Sequence, residues 1–328
     1  MEDFDKIKTR VVGIDLNIVY TTYAIVDIRG DLVAQDRFLT MDYPDVNDFV
    51  GTLAERIVMM AEENGGYDTI RSAGISAPSG NYMTGCVENA ANLPWKGVIP
   101  LAAMLRDRLG IAVALANDGH LTAVSEITFG SARGMQNFIT ISISHGGLGS
   151  CVYVDGRAHL GVHGFAGEVG HTCVEEGGRL CDCGRRGCLE TYCSAKGIVQ
   201  TAEELMAESS EPTLLSEQSE LNFVTIAECC DKGDPLAIEA YRRVGFRLGI
   251  GLATYASLFN PEAIILTGAM TQAKHWLLGP LRESFNEHVF PNIRGRVRLL
   301  VSLLKDGERD VLGASVLAWT VKEYSLFK

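Results

Sequence analysis

VVGIDLNIVYTTYAIVDIRGDLV, residues 11–33, alternates β-branched runs with a short polar break. The pattern predicts a strand from Val11, a turn near Asn17, a returning strand ending at Asp27 and a third strand through about Phe38. FITISISHGGLGSCVYVDG, residues 138–156, repeats the scheme: strand, Gly-rich loop, strand, and again a Val-Asp pair followed by glycine. Two βββαβα halves, each presenting its first hairpin to a shared cleft, account for this weak internal duplication.

Working outward, Asp45 to Glu63 carries apolar residues at helical spacing (Phe49, Leu53, Ile57, Met60), and IRSAGISAPSG, from Ile70, reads as a buried strand running into a turn. Ile99 to Leu109 is helical and AVALAND, from Ala112, is a strand. The polar segment AESSEPTLLSEQSELNF, residues 207–223, reads as an exposed connection between helices. Pro235 to Phe259 forms a long helix or helix pair leading to a short buried strand at Ile264–Leu266, and the final GASVLAWTVKEY is helical. The expected boundary lies near Asp118 to Glu126. That gives a first lobe over 1–120, completed by a C-terminal helix over 311–328, and a second lobe over 121–310.

Composition narrows the function classes. With 328 residues, 47% of them hydrophobic, the chain can fill two cores. A formal charge of −12 repels phosphate backbones, and the basic run Arg185-Arg186 is short, so no direct nucleic-acid binding is expected. No leader-like run occurs, and nothing approaches the roughly eighteen uninterrupted apolar residues of a membrane span, so a cytoplasmic protein without membrane contact is expected. Five of the nine cysteines crowd between Cys173 and Cys193, a distribution that suits a metal better than disulfides.

GHTCVEEGGRLCDCGRRGC, from Gly170, supplies His171, Cys181, Cys183 and Cys188. Three thiolates and an imidazole make a closed tetrahedral set of the kind that holds structural zinc, and Gly184 and Gly187 allow the tight turns that convergence needs. Cys173 and Cys193 are near enough to substitute, but read better as small buried residues.

With NLPW at Asn92–Trp95, Asn117-Asp118, GEVGH at Gly167–His171, the cysteine run, and GCLE ending at Glu190, nearly the whole chain resembles the ROK family (repressor, open reading frame, kinase). The resemblance implies two actin-like, ribonuclease H-like α/β lobes of the hexokinase, acetate kinase and actin superfamily, and a homodimer. It implies a sugar site of Asn92, Asn117, Asp118, Glu168, His171 and Glu190. Asp118 would be the general base that takes the proton of the attacking sugar hydroxyl. A helix N-cap after a strand accounts for Asn117-Asp118 almost as well, since both residue types favour that position. His171 would hold zinc through one nitrogen and turn the other toward the ligand shell.

The nucleotide side departs from the family. Where its kinases read D-x-G-G-T-K, this chain has Asp15-Leu16-Asn17-Ile18-Val19-Tyr20. Both glycines are gone, and the branched Ile18 and Val19 resist positive φ and occupy space a phosphate would need. Asp15, the magnesium-side carboxylate the resemblance implies, is kept. The second phosphate loop becomes Ser144–Cys151, keeping Gly147 and Gly149 out of register, and the adenosine-side segment is Thr267-Gly268-Ala269. An intact sugar side beside altered phosphate loops favours a sensor of a hexose or N-acetylhexosamine, the effector domain of a transcriptional regulator. The alternative is an ATP-dependent, glucokinase-like hexose kinase using ATP and Mg2+ through Asp15, Gly147, Gly149 and Gly268. Ten residues precede Val11, too few for the helix-turn-helix domain that the family's repressors carry. His145 and Cys151 lie near each other in sequence, but with no third orienting group a cysteine nucleophile is not expected. His120, His159 and His163 read as cleft-edge or surface residues.

Overall fold

A computed structural model describes residues 8–90, 93–144, 147–305 and 307–321. In chain order its regular elements are β1 (Arg10–Leu16), β2 (Tyr20–Asp27), β3 (Leu32–Leu39), α1 (Val46–Glu63), β4 (Ile70–Ala77), β5 (Gly80–Asn81), β6 (Cys86–Glu88), β7 (Val98–Ile99), α2 (Leu101–Leu109), β8 (Ala112–Asn117) and α3 (Asp118–Thr128). There follow β9 (Phe138–Ser144), β10 (Gly147–Val154), β11 (Arg157–Ala158), α4 (Glu190–Cys193), α5 (Ala195–Glu208), α6 (Phe223–Asp231), α7 (Pro235–Phe259), β12 (Ala263–Thr267), α8 (His275–His288), β13 (Arg298–Val301) and α9 (Arg309–Thr320). The chain forms two compact units. One comprises Met1–Gly130, Leu160–Phe165 and Leu304–Lys328, and the other Ser131–His159 and Ala166–Leu303. The boundary read from the sequence, Asp118 to Glu126, falls inside α3, a helix that the first unit keeps because it packs on α9.

Each unit is built on a five-stranded sheet of the same plan. The first runs β3-β2-β1-β4-β8, with β1, β4 and β8 parallel and β2 and β3 antiparallel. The second runs β11-β10-β9-β12-β13, again with three parallel strands and an antiparallel pair at one edge. This is the actin-like α/β fold, and the sequence echo at residues 138–156 is a repeat of sheet topology. A small three-stranded sheet, β5-β6-β7, has strands of two or three residues, too short to leave a periodic signal in the sequence.

In the first unit the sheet buries Val12, Ile14, Ile25 and Ile75 against Phe49, Leu53 and Ile57 of α1 and Leu105 of α2. Asp45 caps α1, its Oδ1 accepting from the Asn47 amide at 2.7 Å. On the other side of that sheet α9 approaches so closely that a Cβ at Gly13 would collide with the Val311 carbonyl oxygen. In the second unit α7 is one continuous helix whose Val244, Leu248, Leu252 and Ala256 are buried in the core. Pro235 at its first turn and Asp234 as its cap fix where it starts. The same Asp234 carboxylate accepts from Thr213 and the Leu214 amide, at 2.8 and 2.7 Å. That tie explains why residues 207–223 are not simply an exposed connection: they carry a 3-10 turn at Leu214–Glu217 and bury Leu215 and Phe223. Among the described residues no helix is long and apolar enough to cross a membrane.

Candidate functional site

The second unit assembles its site from the β9–β10 hairpin, the segment 166–190 and the start of α4. Ser150 on β10 fixes the GEVGH turn. Its hydroxyl donates to the Gly167 carbonyl at 2.6 Å and accepts from the Val169 amide at 3.1 Å. From α7, the Tyr255 hydroxyl reaches Thr172 Oγ1 at 2.7 Å. The turn delivers Glu168 and His171 side by side.

The four predicted metal ligands converge. One ligand atom from each of His171, Cys181, Cys183 and Cys188 lies within 4.8 Å of every other. Cys181 Sγ is 3.6 Å from His171 Nδ1, and Cys183 Sγ is 3.7 Å from Cys188 Sγ. Zinc–sulfur and zinc–nitrogen bonds of about 2.3 and 2.0 Å in a tetrahedron require edges of roughly 3.5–3.8 Å, so the cage has the size of that ion. Backbone pairing builds it. The Cys181 amide donates to Arg185 O at 2.8 Å and the Gly184 amide to Cys181 O at 2.9 Å, closing a turn with Gly184 at φ +85°. Gly187, at φ +79°, lies where a Cβ would strike the Glu175 carbonyl. Burial raises the Cys181 and Cys188 thiols, so metal binding there must displace protons. Cys193 is buried, as the sequence suggested, with Sγ against the Val244 carbonyl at 3.6 Å. Cys173 is not: its backbone bridges to Cys188, and that register leaves its side chain exposed.

Glu190 opens α4, and its carboxylate touches both the cage and the hairpin. Oε1 is 3.6 Å from Cys181 Sγ, and Oε2 accepts from the Leu148 amide at 3.0 Å. Gly147 makes the approach possible: at φ +131° any Cβ would sit on Glu190 Oε2. Gly149, by contrast, has only Ser142 Cβ nearby, at 3.8 Å. Gly268, at φ +89°, faces the Ile143 carbonyl at a distance that excludes a side chain. Strand packing and the Glu190 approach thus account for glycine at 268 and 147. Glu168 keeps solvent access, yet the protein around it removes enough hydration to raise its carboxyl above the usual range; Glu190 adds to the rise and His171 opposes it. Among the described residues no protein hydrogen bond engages the Glu168 carboxylate.

Sequence reading missed Arg179, whose side chain is 7% exposed. Its guanidinium grips Glu204 on α5 at 3.0 and 2.5 Å and donates to the carbonyls of Thr191 and Gly197 at 2.8 and 3.1 Å. It also stacks on Tyr192, 4.6 Å from the ring centre. This fork ties the cysteine loop to α4 and α5. The signal was one arginine in a basic-looking loop, and its partner lies 25 residues away.

In the first unit, Asn117 is the N-cap of α3, its Oδ1 accepting from the Gly119 amide at 2.8 Å, and Asp118 Oδ1 accepts from the same amide at 2.7 Å. The capping reading therefore describes Asn117 Oδ1. Asn92 lies outside the described residues. Nearby, Leu93 and Trp95 are buried, with Trp95 Nε1 donating to the Tyr43 carbonyl at 3.0 Å. The Asn17–Val19 turn has no residue at positive φ. Its carbonyls are taken by Thr40: the Thr40 amide donates to Val19 O at 3.0 Å and Thr40 Oγ1 to Asn17 O at 2.8 Å. Val19 stands 53% exposed.

Cys151 is buried and its thiol is pushed up to about 12 by desolvation and then by Glu168, which leaves no thiolate for nucleophilic chemistry. His145 lies outside the described residues. His120 is half-buried with its ring edge-on to Tyr82, and desolvation lowers it to about 4. His159 and His163 are exposed.

The ROK family model matches residues 11–321. A glucokinase from Halalkalibacterium halodurans is 31% identical over 255 residues, 76% of each chain. A xylose repressor from Bacillus subtilis is 28% identical over 304 residues, 92% of this chain and 75% of the repressor. Among solved structures, a ROK glucokinase from Streptomyces griseus in complex with glucose and AMPPNP superposes with a TM-score of 0.80 at 28% identity, covering 95% of this chain and 100% of that one. A ROK transcriptional regulator, a homolog of the E. coli MLC protein, superposes at 0.82 and 28% identity, covering 94% and 77%.

Proposed function

Since the chain belongs to the ROK family, we propose that it binds zinc and a hexose-like sugar and acts as a sugar sensor, the effector domain of a transcriptional regulator, rather than as an efficient kinase. The carrying observation is the contrast between two regions. Around the cage, Glu168, Glu190 and His171 are held by Ser150, Tyr255, Thr172 and the Leu148 amide, with the Glu168 carboxylate offering acceptor atoms that no protein donor takes among the described residues. At the Asn17–Val19 turn, the conformation that would point amides at phosphates is missing, and Thr40 ties down the turn's carbonyls.

In this reading Glu168, Glu190 and the free nitrogen of His171 take sugar hydroxyls, with Asn92, Asn117 and Asp118 as further sugar-binding groups. Zinc is structural and holds the first three in place. The xylose repressors among the relatives add a pentose to the candidate ligands. Calorimetric titration of the zinc-loaded protein with glucose, xylose, mannose, N-acetylglucosamine and N-acetylmannosamine tests the reading. Binding of at least one sugar supports it, and no heat from any at millimolar concentration overturns it.

A second reading, an ATP-dependent hexose kinase with Asp118 as base, draws on the glucokinase relatives and on the retained Asp15 and Asp118. Coupled ADP release with the same sugars separates the two. Turnover that disappears in Asp118→Asn favours the kinase, and a rate equal in wild type and variant favours the sensor.

A further inference from the structure

The acidic corner of the first unit contains a guanidinium that nothing in the proposed function uses. Arg309, the first residue of α9, is 4% exposed. Its Nε lies 3.3 Å from Asp310 Oδ1, and the two side chains are 5% and 22% exposed. The backbone around it is pinned. The Arg309 carbonyl accepts from Ser125 Oγ of α3 at 2.5 Å, its amide donates to Lys305 O at 3.2 Å, and Thr122 Oγ1 donates to Asp310 Oδ1 at 3.3 Å. These bonds hold the start of α9 against α3, the helix that begins at Asp118. The close approach of Val311 to Gly13 holds it against β1 two residues before Asp15.

We propose that Arg309 is a resident cation that takes the place of a divalent metal among Asp15, Asp118 and Asp310. The inference goes beyond sugar binding and does not depend on it. Magnesium at enzyme sites usually keeps several waters and takes one or two carboxylates plus substrate phosphates, so a divalent ion held here by protein alone would need the three aspartates to converge. Among the described residues, the group of three or more metal-ligating side chains that does converge is the His171 cysteine cage, and the three aspartates form no such group. A guanidinium is charged at every accessible pH and presents a wide fork, so it can neutralise carboxylates that stay apart. It also repels a second cation. The electrostatics agree: burial, Asp310 and Asp118 all raise the Asp15 carboxyl, and Arg309 is the charged group that draws it back. The aspartates therefore do not make a protein-only divalent site, and Arg309 supplies the positive charge in that corner instead.

The test uses the zinc-loaded full chain and Mn2+ alone as probe, read by the loss of the free-ion electron paramagnetic resonance signal. Wild type should retain no Mn2+ at millimolar concentration. Arg309→Met should gain one Mn2+ per chain, at least tenfold tighter than any wild-type binding, and lose it again in Arg309→Met/Asp15→Asn. Arg309→Lys, which keeps the charge, should bind none. Stoichiometric Mn2+ on wild type that Asp15→Asn abolishes would overturn the proposal, as would a folded Arg309→Met that binds none. Should Arg309→Met not fold, the wild-type and Asp15→Asn titrations decide alone, since absence of binding in wild type supports the proposal and its presence refutes it.

Discussion

Replacing Gly147 with alanine separates the two roles open to the glycines of the β9–β10 hairpin. The new Cβ would sit on Glu190 Oε2 and only 2.8 Å from its Cδ. Ordinary carbon contacts lie near 3.5 Å or beyond, so the carboxylate must retreat by about 1 Å. The end of a glutamate moves readily, so the retreat itself is not expensive, but it breaks the 3.0 Å bond from the Leu148 amide. A charge-assisted bond of that kind contributes about 1.5–3 kcal/mol. The φ of +131° adds about 1–3 kcal/mol of strain for a residue with a Cβ, felt as lower stability. Converted to affinity, the misplaced carboxylate should weaken sugar binding by roughly 10- to 100-fold. Titration calorimetry gives the affinity, and circular dichroism confirms the fold. Gly149→Ala is the control, because its Cβ would meet nothing closer than Ser142 Cβ at 3.8 Å, and sugar affinity should stay within about twofold of wild type. Gly147→Ala and Glu190→Gln should also be strongly non-additive. A folded Gly147→Ala protein with unchanged sugar affinity would refute the reasoning, and Glu190 would not be a sugar ligand.

Other expectations follow from the same geometry. Cys188→Ser should reduce bound zinc from one per chain to a small fraction, measured by elemental mass spectrometry, and weaken sugar binding by about tenfold or more as the corner loosens. Arg179→Ala should lower unfolding free energy by about 2 kcal/mol in urea titrations, and Arg179→Lys should recover little of it because a point charge cannot reproduce the fork onto Glu204 and two carbonyls. Asp15 has its folded-state carboxyl raised above the ordinary 3.8 by burial and by Asp310 and Asp118. The folded state therefore holds the proton longer than the unfolded chain, and stability falls as pH rises from about 4 through the folded value. Asp15→Asn removes that penalty. It should raise the melting temperature at pH 7 by about 2 °C, an advantage that vanishes toward pH 4; a destabilised Asp15→Asn at neutral pH would contradict this.

What could be read in advance was local. The hairpin at Asn17, the α1 stripe from Phe49 to Ile57 and the cysteine cage each depend on residues close in sequence, and spacing alone reports them. What could not be read depends on distant partners. Arg309 acts on Asp15, far away in the sequence, and Arg179 looks like one more basic residue beside Arg185 and Arg186. Gly147 resembled a phosphate-loop glycine because sequence carries no record of Glu190 folding back against it. Residues 207–223 looked exposed because the contact that orders them comes from Asp234.

The most direct measurement is a crystal structure of the zinc-loaded protein soaked with its tightest-binding sugar and AMPPNP together. Sugar hydroxyls bonded to Glu168, Glu190 and His171, with no triphosphate against Asn17, Ile18 and Val19, is the predicted result. Full-occupancy nucleotide with its phosphates on that turn, and magnesium on Asp15, would contradict the account.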